Sequence, residues 1–141
     1  MRKMVCTLAA AVLPLVLPFC AIATPGSWNG SMPGIKLDHR GEMVTTSAFV
    51  PNIAVNPDET ITTIYWRHVI DSAIPVGLVV KLCSQSPQRC VDLDGSGDGQ
   101  TRAFDGLAAN NEFRFVYYIE GSGRINHSFS VRTIDIAVNY R

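Results

Sequence analysis

The chain has 141 residues, and its 12 basic and 12 acidic side chains balance to a formal net charge of zero. This length suits a single domain, and the balanced charge argues against a nucleic-acid-binding protein, which would carry a basic footprint. It also argues against a polybasic segment that holds a protein on an anionic membrane.

The first 23 residues have the organisation of a cleavable secretory signal. Arg2 and Lys3 are followed by an apolar stretch from Val5 to about Phe19, and Ala21-Ile22-Ala23 places small residues where a signal peptidase cleaves. A membrane anchor is the alternative, but two prolines interrupt the apolar stretch, which is also short for a span of roughly 20 residues. We therefore expect an exported protein of the periplasm, whose mature chain, residues 24–141, has no membrane span.

The mature chain carries the pattern of half-buried β-strands. Short runs rich in β-branched and aromatic residues alternate with Gly, Pro and Asn turn signals, such as NPDE at 56–59 and GSG at 121–123. Seven or eight such strands predict an all-β fold, an antiparallel β-sandwich that occupies residues 24–141 as one domain. The side chains predicted to point inward are Ile35, Leu37, His39, Leu78, Val80, Leu82, Phe113, Phe115, Tyr117, Ile119, Ile134, Ile136, Val138 and Tyr140.

Two cysteines, Cys83 and Cys90, remain in the predicted mature chain, within CSQSPQRC. An oxidising compartment favours a disulfide between them, and closing so short a loop stabilises a fold by about 2–3 kcal/mol. A redox pair is the alternative, but that chemistry favours a tighter spacing at a helix start, and the flanking residues indicate strand, turn and strand. We predict one structural intrachain disulfide.

The segment DLDGSGDG, residues 92–99, resembles part of a calcium-binding loop. An EF-type loop that starts at Asp92 needs a glutamate where the chain has Ala103, and it needs helices on both sides. The glycines and aspartates favour instead a turn that links the strands RCVDL and QTRAF. A looser calcium site built from Asp92, Asp94 and Asp98 is the alternative interpretation.

The chain shows no arrangement of residues that predicts catalysis. His39, His68 and His127 are not spaced as metal ligands, and no glycine-rich loop joins a strand to a helix. We therefore expect no enzymatic activity and no cofactor, and we interpret His68 as a strand residue with a hydrogen-bonded ring rather than as a metal ligand.

Aromatic and arginine side chains on an outer face of the sandwich are the candidates for binding. Tyr65 and Trp66 are consecutive, as are Tyr117 and Tyr118, so the members of each pair point to opposite faces of a sheet. The competing interpretation is that such aromatics fill the core. The candidate residues for contact with a partner or a sugar are Trp28, Tyr65, Trp66, Arg67, Tyr118 and Arg141.

The chain resembles the flagellar FlhE family across its predicted mature length. The cysteine block at 77–95 and the terminal VNYR are together the specific part of this resemblance, whereas Pro87 and the GSGDG segment depart from the family pattern. The matching segments are GSW at 26–28, GIKLDHRG at 34–41, YWRH at 65–68, GLVVKLCSQSPQRCVDLDG at 77–95, RFVYYIEGSGRI at 114–125 and VNYR at 138–141.

The resemblance implies a periplasmic accessory protein of flagellar assembly that is linked to swarming motility. It also implies a role in limiting proton leakage through the flagellar type III export gate, or a chaperone-like role, with a flagellar export or basal-body component as partner. From the strand-rich sequence we hypothesise that the C-terminal strand forms an exposed sheet edge and pairs with that partner. A carbohydrate-binding module for cell-wall glycan is the alternative function.

Overall fold

A computed structural model describes residues 25–95 and 97–141, and these residues form nine β-strands and no helix. The all-β prediction is confirmed, and the predicted signal at 1–23 lies outside the described residues. The strand GSWNGSMP escaped prediction because it is rich in Gly and polar residues. The strand predicted at QTRAF begins two residues earlier and ends sooner, as DGQT. The strands are β1 (Gly26–Pro33), β2 (Lys36–Arg40), β3 (Met43–Thr45), β4 (Ile61–Ile70), β5 (Leu78–Ser84), β6 (Arg89–Leu93), β7 (Asp98–Thr101), β8 (Phe113–Ile119) and β9 (Gly123–Tyr140).

The strands form two antiparallel sheets, as the sandwich prediction requires. One sheet has five strands, with β1, β9, β4 and β7 side by side and β2 paired with the N-terminal part of β9. The other has four strands in the order β3, β8, β5 and β6. The 18-residue strand β9 is the longest, and its C-terminal part lies between β1 and β4.

Apolar side chains from the inner faces of both sheets form the core. Ile134, Ile136 and Val138 are buried on β9, which confirms the predicted alternation. Aromatic rings join the two sheets, since Trp28 on β1 lies 6.3 Å from Phe113 on β8 between ring centroids. Each fully buried large apolar side chain contributes roughly 1.5–3 kcal/mol relative to an exposed one.

Three predicted details of turns and faces are wrong. His39 does not point inward with Leu37, because the pairing of β2 with β9 shifts register between these two residues and leaves His39 exposed. The GSG segment at 121–123 is not a hairpin turn, because β8 and β9 lie in different sheets. The segment after β6 is likewise a connection between sheets, since β7 pairs with β4 rather than with β6.

The predicted disulfide joins Cys83 and Cys90, which lie directly opposite each other on β5 and β6. The two Cα atoms are 4.0 Å apart. Between these strands, the side chain of Asn111 accepts hydrogen bonds from the backbone N–H groups of Gln85 and Ser86 and donates one to the carbonyl of Ser86. The disulfide and this asparagine therefore both stabilise the turn that connects β5 and β6.

The imidazole of His68 is buried between the sheets, and its Nε2 lies 3.1 Å from the hydroxyl of Tyr117. The interpretation of His68 as a residue with a satisfied ring is confirmed. Burial lowers the pKa of His68 to about 4, against a smaller opposing effect of Asp135. Burial also raises the pKa of Tyr117 far above its ordinary value. Both groups are therefore neutral near pH 7.

The C-terminal strand is not an exposed edge, which corrects the hypothesis of partner pairing through TIDIAVNYR. Residues 133–140 pair with β1 on one side, and residues 131–140 pair with β4 on the other. The side chain of Tyr140 is buried, whereas that of Arg141 is exposed. The end of β9 is therefore structural, and a partner has no free backbone groups to pair with there.

We predict that deletion of residues 137–141 abolishes cooperative unfolding, as measured by circular dichroism during urea titration. The deletion removes pairing with two strands and the buried side chains of Val138 and Tyr140. Losing a large buried side chain costs about 2–5 kcal/mol, and total stabilities are only about 5–15 kcal/mol. Arg141→Ala is the control and keeps the wild-type midpoint. A truncated protein with a wild-type midpoint would contradict the central role of β9.

We predict that His68 makes the fold acid-sensitive. The unfolded chain takes up the proton at the ordinary pKa of 6.5 and the folded chain only at about 4, so the stability present above pH 6.5 is lost as the pH falls toward 4. The expected loss is about 3 kcal/mol. The double variant His68→Phe/Tyr117→Phe removes both partners of their shared hydrogen bond, so neither is left unpaired, and it should lack this part of the pH dependence.

Urea denaturation at pH 7 and at pH 4.5 measures this difference for the wild type and the double variant. His39→Gln is the matched control, because His39 is exposed and its replacement should leave the pH dependence unchanged. Equal acid sensitivity of the wild type and the double variant would show that other groups control acid unfolding.

Candidate functional site

The outer face of the five-stranded sheet is hollowed into an open groove with a volume of about 680 Å³. The groove crosses β1, β9, β4 and β7, with three consecutive residues from each strand along its lining. Its volume lies within the range of roughly 300–1,000 Å³ that is usual for sites of small ligands. Outward-pointing side chains from neighbouring strands therefore meet in two rows across the sheet.

The first row consists of Asn29, Ala137, Tyr65 and Gln100, which lie in register on four adjacent strands. The Tyr65 side chain is the large one, and the residue is 45% exposed. Ala137 lies between Asn29 and Tyr65, and its small side chain leaves the surface low beside the ring. This row therefore presents one exposed aromatic ring between two side-chain amides.

The second row consists of Ser31, Asp135, Arg67 and Asp98. The Nε of Arg67 lies 3.3 Å from Oδ2 of Asp135. Because Arg67 is largely exposed and Asp135 partly so, the pair adds at most about 1 kcal/mol to stability, but it neutralises the one cation of the row. The row as a whole carries one positive and two negative side chains.

Glycines shape the floor of the groove from its inner side. A Cβ on Gly30 would lie 2.8 Å from the ring of Phe49, and a Cβ on Gly99 would lie 2.6 Å from the ring of Trp66. Core rings therefore pack directly under the backbone of β1 and β7. The indole Nε1 of Trp66 is buried and makes no hydrogen bond within the described part of the chain.

The structure separates the predicted binding residues into three groups. Tyr65 and Arg67 lie in the groove. Trp28 and Trp66 are buried and belong to the core, where the indole of Trp28 donates a hydrogen bond of 2.7 Å to the carbonyl of Ala109. Outside both regions, Tyr118 alternates with the buried Tyr117 and so points outward from the four-stranded sheet, and Arg141 is exposed at the chain end.

The aspartates of the candidate calcium loop lie on different elements. Asp92 is on β6 and its Oδ1 lies 3.0 Å from Nζ of Lys81, a contact that raises the pKa of the lysine. Asp94 is in the connection, and Asp98 is on β7, where it lines the groove. Among residues 25–95 and 97–141, no group of three or more His, Cys, Asp or Glu side chains could hold a metal ion. Calcium binding stays the alternative interpretation of this segment.

Sequence reasoning missed most of the groove. Asn29, Ser31, Gln100 and Ala137 were not identified, because their proximity depends on which strands are neighbours. Polar residues alternate with Trp28 and Met32 along β1, and this alternation is the signal by which the outward polar row could have been found.

In the part of the chain that the structure covers, no helix is long and apolar enough to cross a membrane.

Comparison with known proteins agrees with this architecture. A family model described as "Flagellar protein FlhE" matches residues 34–141. The chain is similar to flagellar protein FlhE of Escherichia coli (strain K12), with 38% identity over 135 residues that cover 95% of this chain and 97% of the relative. It is also similar to flagellar protein FlhE of Yersinia enterocolitica, with 39% identity over 127 residues that cover 89% and 88% of the two chains.

The fold is similar to that of a solved structure as well, described as "Crystal Structure of FLHE". The TM-score is 0.77 at 37% sequence identity, over 84% of this chain and 99% of that chain. The family model, the curated relatives and the solved structure thus agree, and the chain belongs to the flagellar protein FlhE family.

Proposed function

We propose that the protein is a periplasmic accessory of bacterial flagellar assembly that limits proton leakage through the flagellar type III export gate. Its membership of the FlhE family, over residues 34–141, is the observation that carries this proposal. The predicted signal at residues 1–23 supports the periplasmic location. In this role the protein supports swarming motility by binding a flagellar export or basal-body component, in a sealing or chaperone-like manner.

The outer face of the four-stranded sheet supports a contact with such a protein partner. One row across β3, β8 and β5 contains Met43, Tyr118 and Val79 in register. The adjacent residues Val80 and Tyr117 are buried, and successive side chains alternate between faces, so this row points outward. Met43 is 64% exposed. Tyr118 and Val79 are half-buried, and methionine and aromatic residues are enriched at protein interfaces.

On the four-stranded sheet, a face contact is favoured over the addition of a strand to an edge. With the end of β9 enclosed, the four-stranded sheet offers only β3 and β6 as edges, with three and five residues. Strands this short give a partner few backbone hydrogen bonds. The apolar row of Met43, Tyr118 and Val79 therefore makes the better contact surface.

We predict that a deletion strain acidifies its cytoplasm more than the wild type after an external acid shift, as measured with a pH-sensitive fluorescent protein. The excess acidification should disappear when the flagellar export apparatus is deleted as well, because the apparatus is the proposed path of the protons. Expression of the wild-type protein should restore the cytoplasmic pH, whereas Tyr118→Glu should not, since it places a charge in the apolar row.

Asn139→Asp is the matched control, because it also adds one negative charge in a strand but on the five-stranded sheet. It should restore the cytoplasmic pH as the wild type does. An unchanged cytoplasmic pH in the deletion strain, with and without the export apparatus, would overturn the proposed function.

A further inference from the structure

We propose that the groove on the five-stranded sheet binds a neutral glycan built of β-linked N-acetylhexosamines, the chemistry of the cell-wall strand. This inference rests on the proposed periplasmic location, where that glycan is found. It adds a ligand and a site that membership of the family does not supply. The groove thus provides a second contact, distinct from the apolar face of the four-stranded sheet.

Tyr65 provides the stacking surface for a sugar ring. Its side chain stands in the groove beside Ala137, and within residues 25–95 and 97–141 its hydroxyl makes no hydrogen bond. A tyrosine offers a large contact area with few rotatable bonds, so its ordering on binding costs little. The low surface over Ala137 gives a sugar ring room to lie against the aromatic face.

The polar side chains around Tyr65 are not used by the fold. The amides of Asn29 and Gln100 and the hydroxyl of Ser31 make no hydrogen bonds among the described residues. An amide both donates and accepts hydrogen bonds, and a hydroxyl does the same. These groups therefore match the hydroxyl and acetamido groups of an N-acetylhexosamine, which also donate and accept.

The charges of the groove disfavour an anionic ligand. Arg67 is already paired with Asp135. Asp98 on β7 lies directly opposite Arg67 on β4. Arg67 is the one cation among the described residues that line the groove, so a nucleic acid or a sulfated polymer would have to compete with Asp135 for it. A neutral polymer of hydroxyl and amide groups meets no such competition.

The direction of the groove also favours a glycan over an extended peptide. The groove crosses the sheet face, where the backbone groups of β9 and β4 are already paired with neighbouring strands. A peptide recognised by main-chain hydrogen bonds needs a free edge instead. Four strands at a spacing of roughly 4.8 Å give a track about 14 Å long, enough for a short oligosaccharide.

The test uses the purified mature protein, with calorimetry against a soluble hexamer of N-acetylglucosamine and co-sedimentation with insoluble peptidoglycan. Tyr65→Ala should lower the affinity by about tenfold, the loss expected for one stacked ring. Ala137→Phe should block binding by filling the low surface, whereas Tyr65→Phe keeps the ring and should bind nearly as the wild type does. Tyr118→Ala is the matched control, an outward tyrosine on the opposite sheet, and should not change the affinity.

Circular dichroism and thermal midpoints verify that each variant folds. If Ala137→Phe does not fold, the comparison of Tyr65→Ala with the wild type decides the outcome. Binding that is lost in Tyr65→Ala and kept in Tyr118→Ala supports the inference. It is overturned if the wild type binds neither glycan, if Tyr65→Ala binds as the wild type does, or if only an anionic polymer such as dextran sulfate binds. A wild-type protein that binds no glycan yet restores cytoplasmic pH in the deletion strain overturns this inference alone.

Discussion

The register of β9 is the constraint on which the rest of the structure depends. This strand pairs with β1, β2 and β4, so it connects the N-terminal strands with the middle of the chain. Successive side chains of a strand point to opposite faces, and a slip by one residue would exchange the faces. Ile136 lies in the core, and its two neighbours Asp135 and Ala137 line the groove on the other face. One register therefore determines both the core and the site.

The core supports the groove from below. Phe49 and Trp66 pack so closely under β1 and β7 that only glycine fits at positions 30 and 99. Protein interiors are close-packed and have low compressibility, so these rings keep the floor of the groove in one shape. A preformed site of this kind loses less free energy on binding than one that must first be ordered. The buried contact of His68 with Tyr117 joins the same strand, β4, to the opposite sheet.

The sequence allowed the prediction of those features that depend on neighbours along the chain. Alternation placed Phe113, Phe115 and Tyr117 in the core, and the expectation of an oxidising compartment paired Cys83 with Cys90. The groove escaped because it depends on neighbours across strands that are far apart in sequence, as Tyr65 and Gln100 are. Local exceptions escaped as well, since the register shift in β2 that turns His39 outward has no signature in the residues themselves.

The two proposed contacts use opposite outer faces of the sandwich. Tyr65 lies on the five-stranded sheet and Tyr118 on the four-stranded sheet, and packed sheets are separated by roughly 10 Å of core. A glycan in the groove therefore leaves the apolar row of Met43, Tyr118 and Val79 open to a protein. A small domain that binds the cell-wall glycan with one face and a flagellar component with the other has two linked binding sites. Binding of the first ligand then raises the effective concentration of the domain near the second, without any contact between the two ligands.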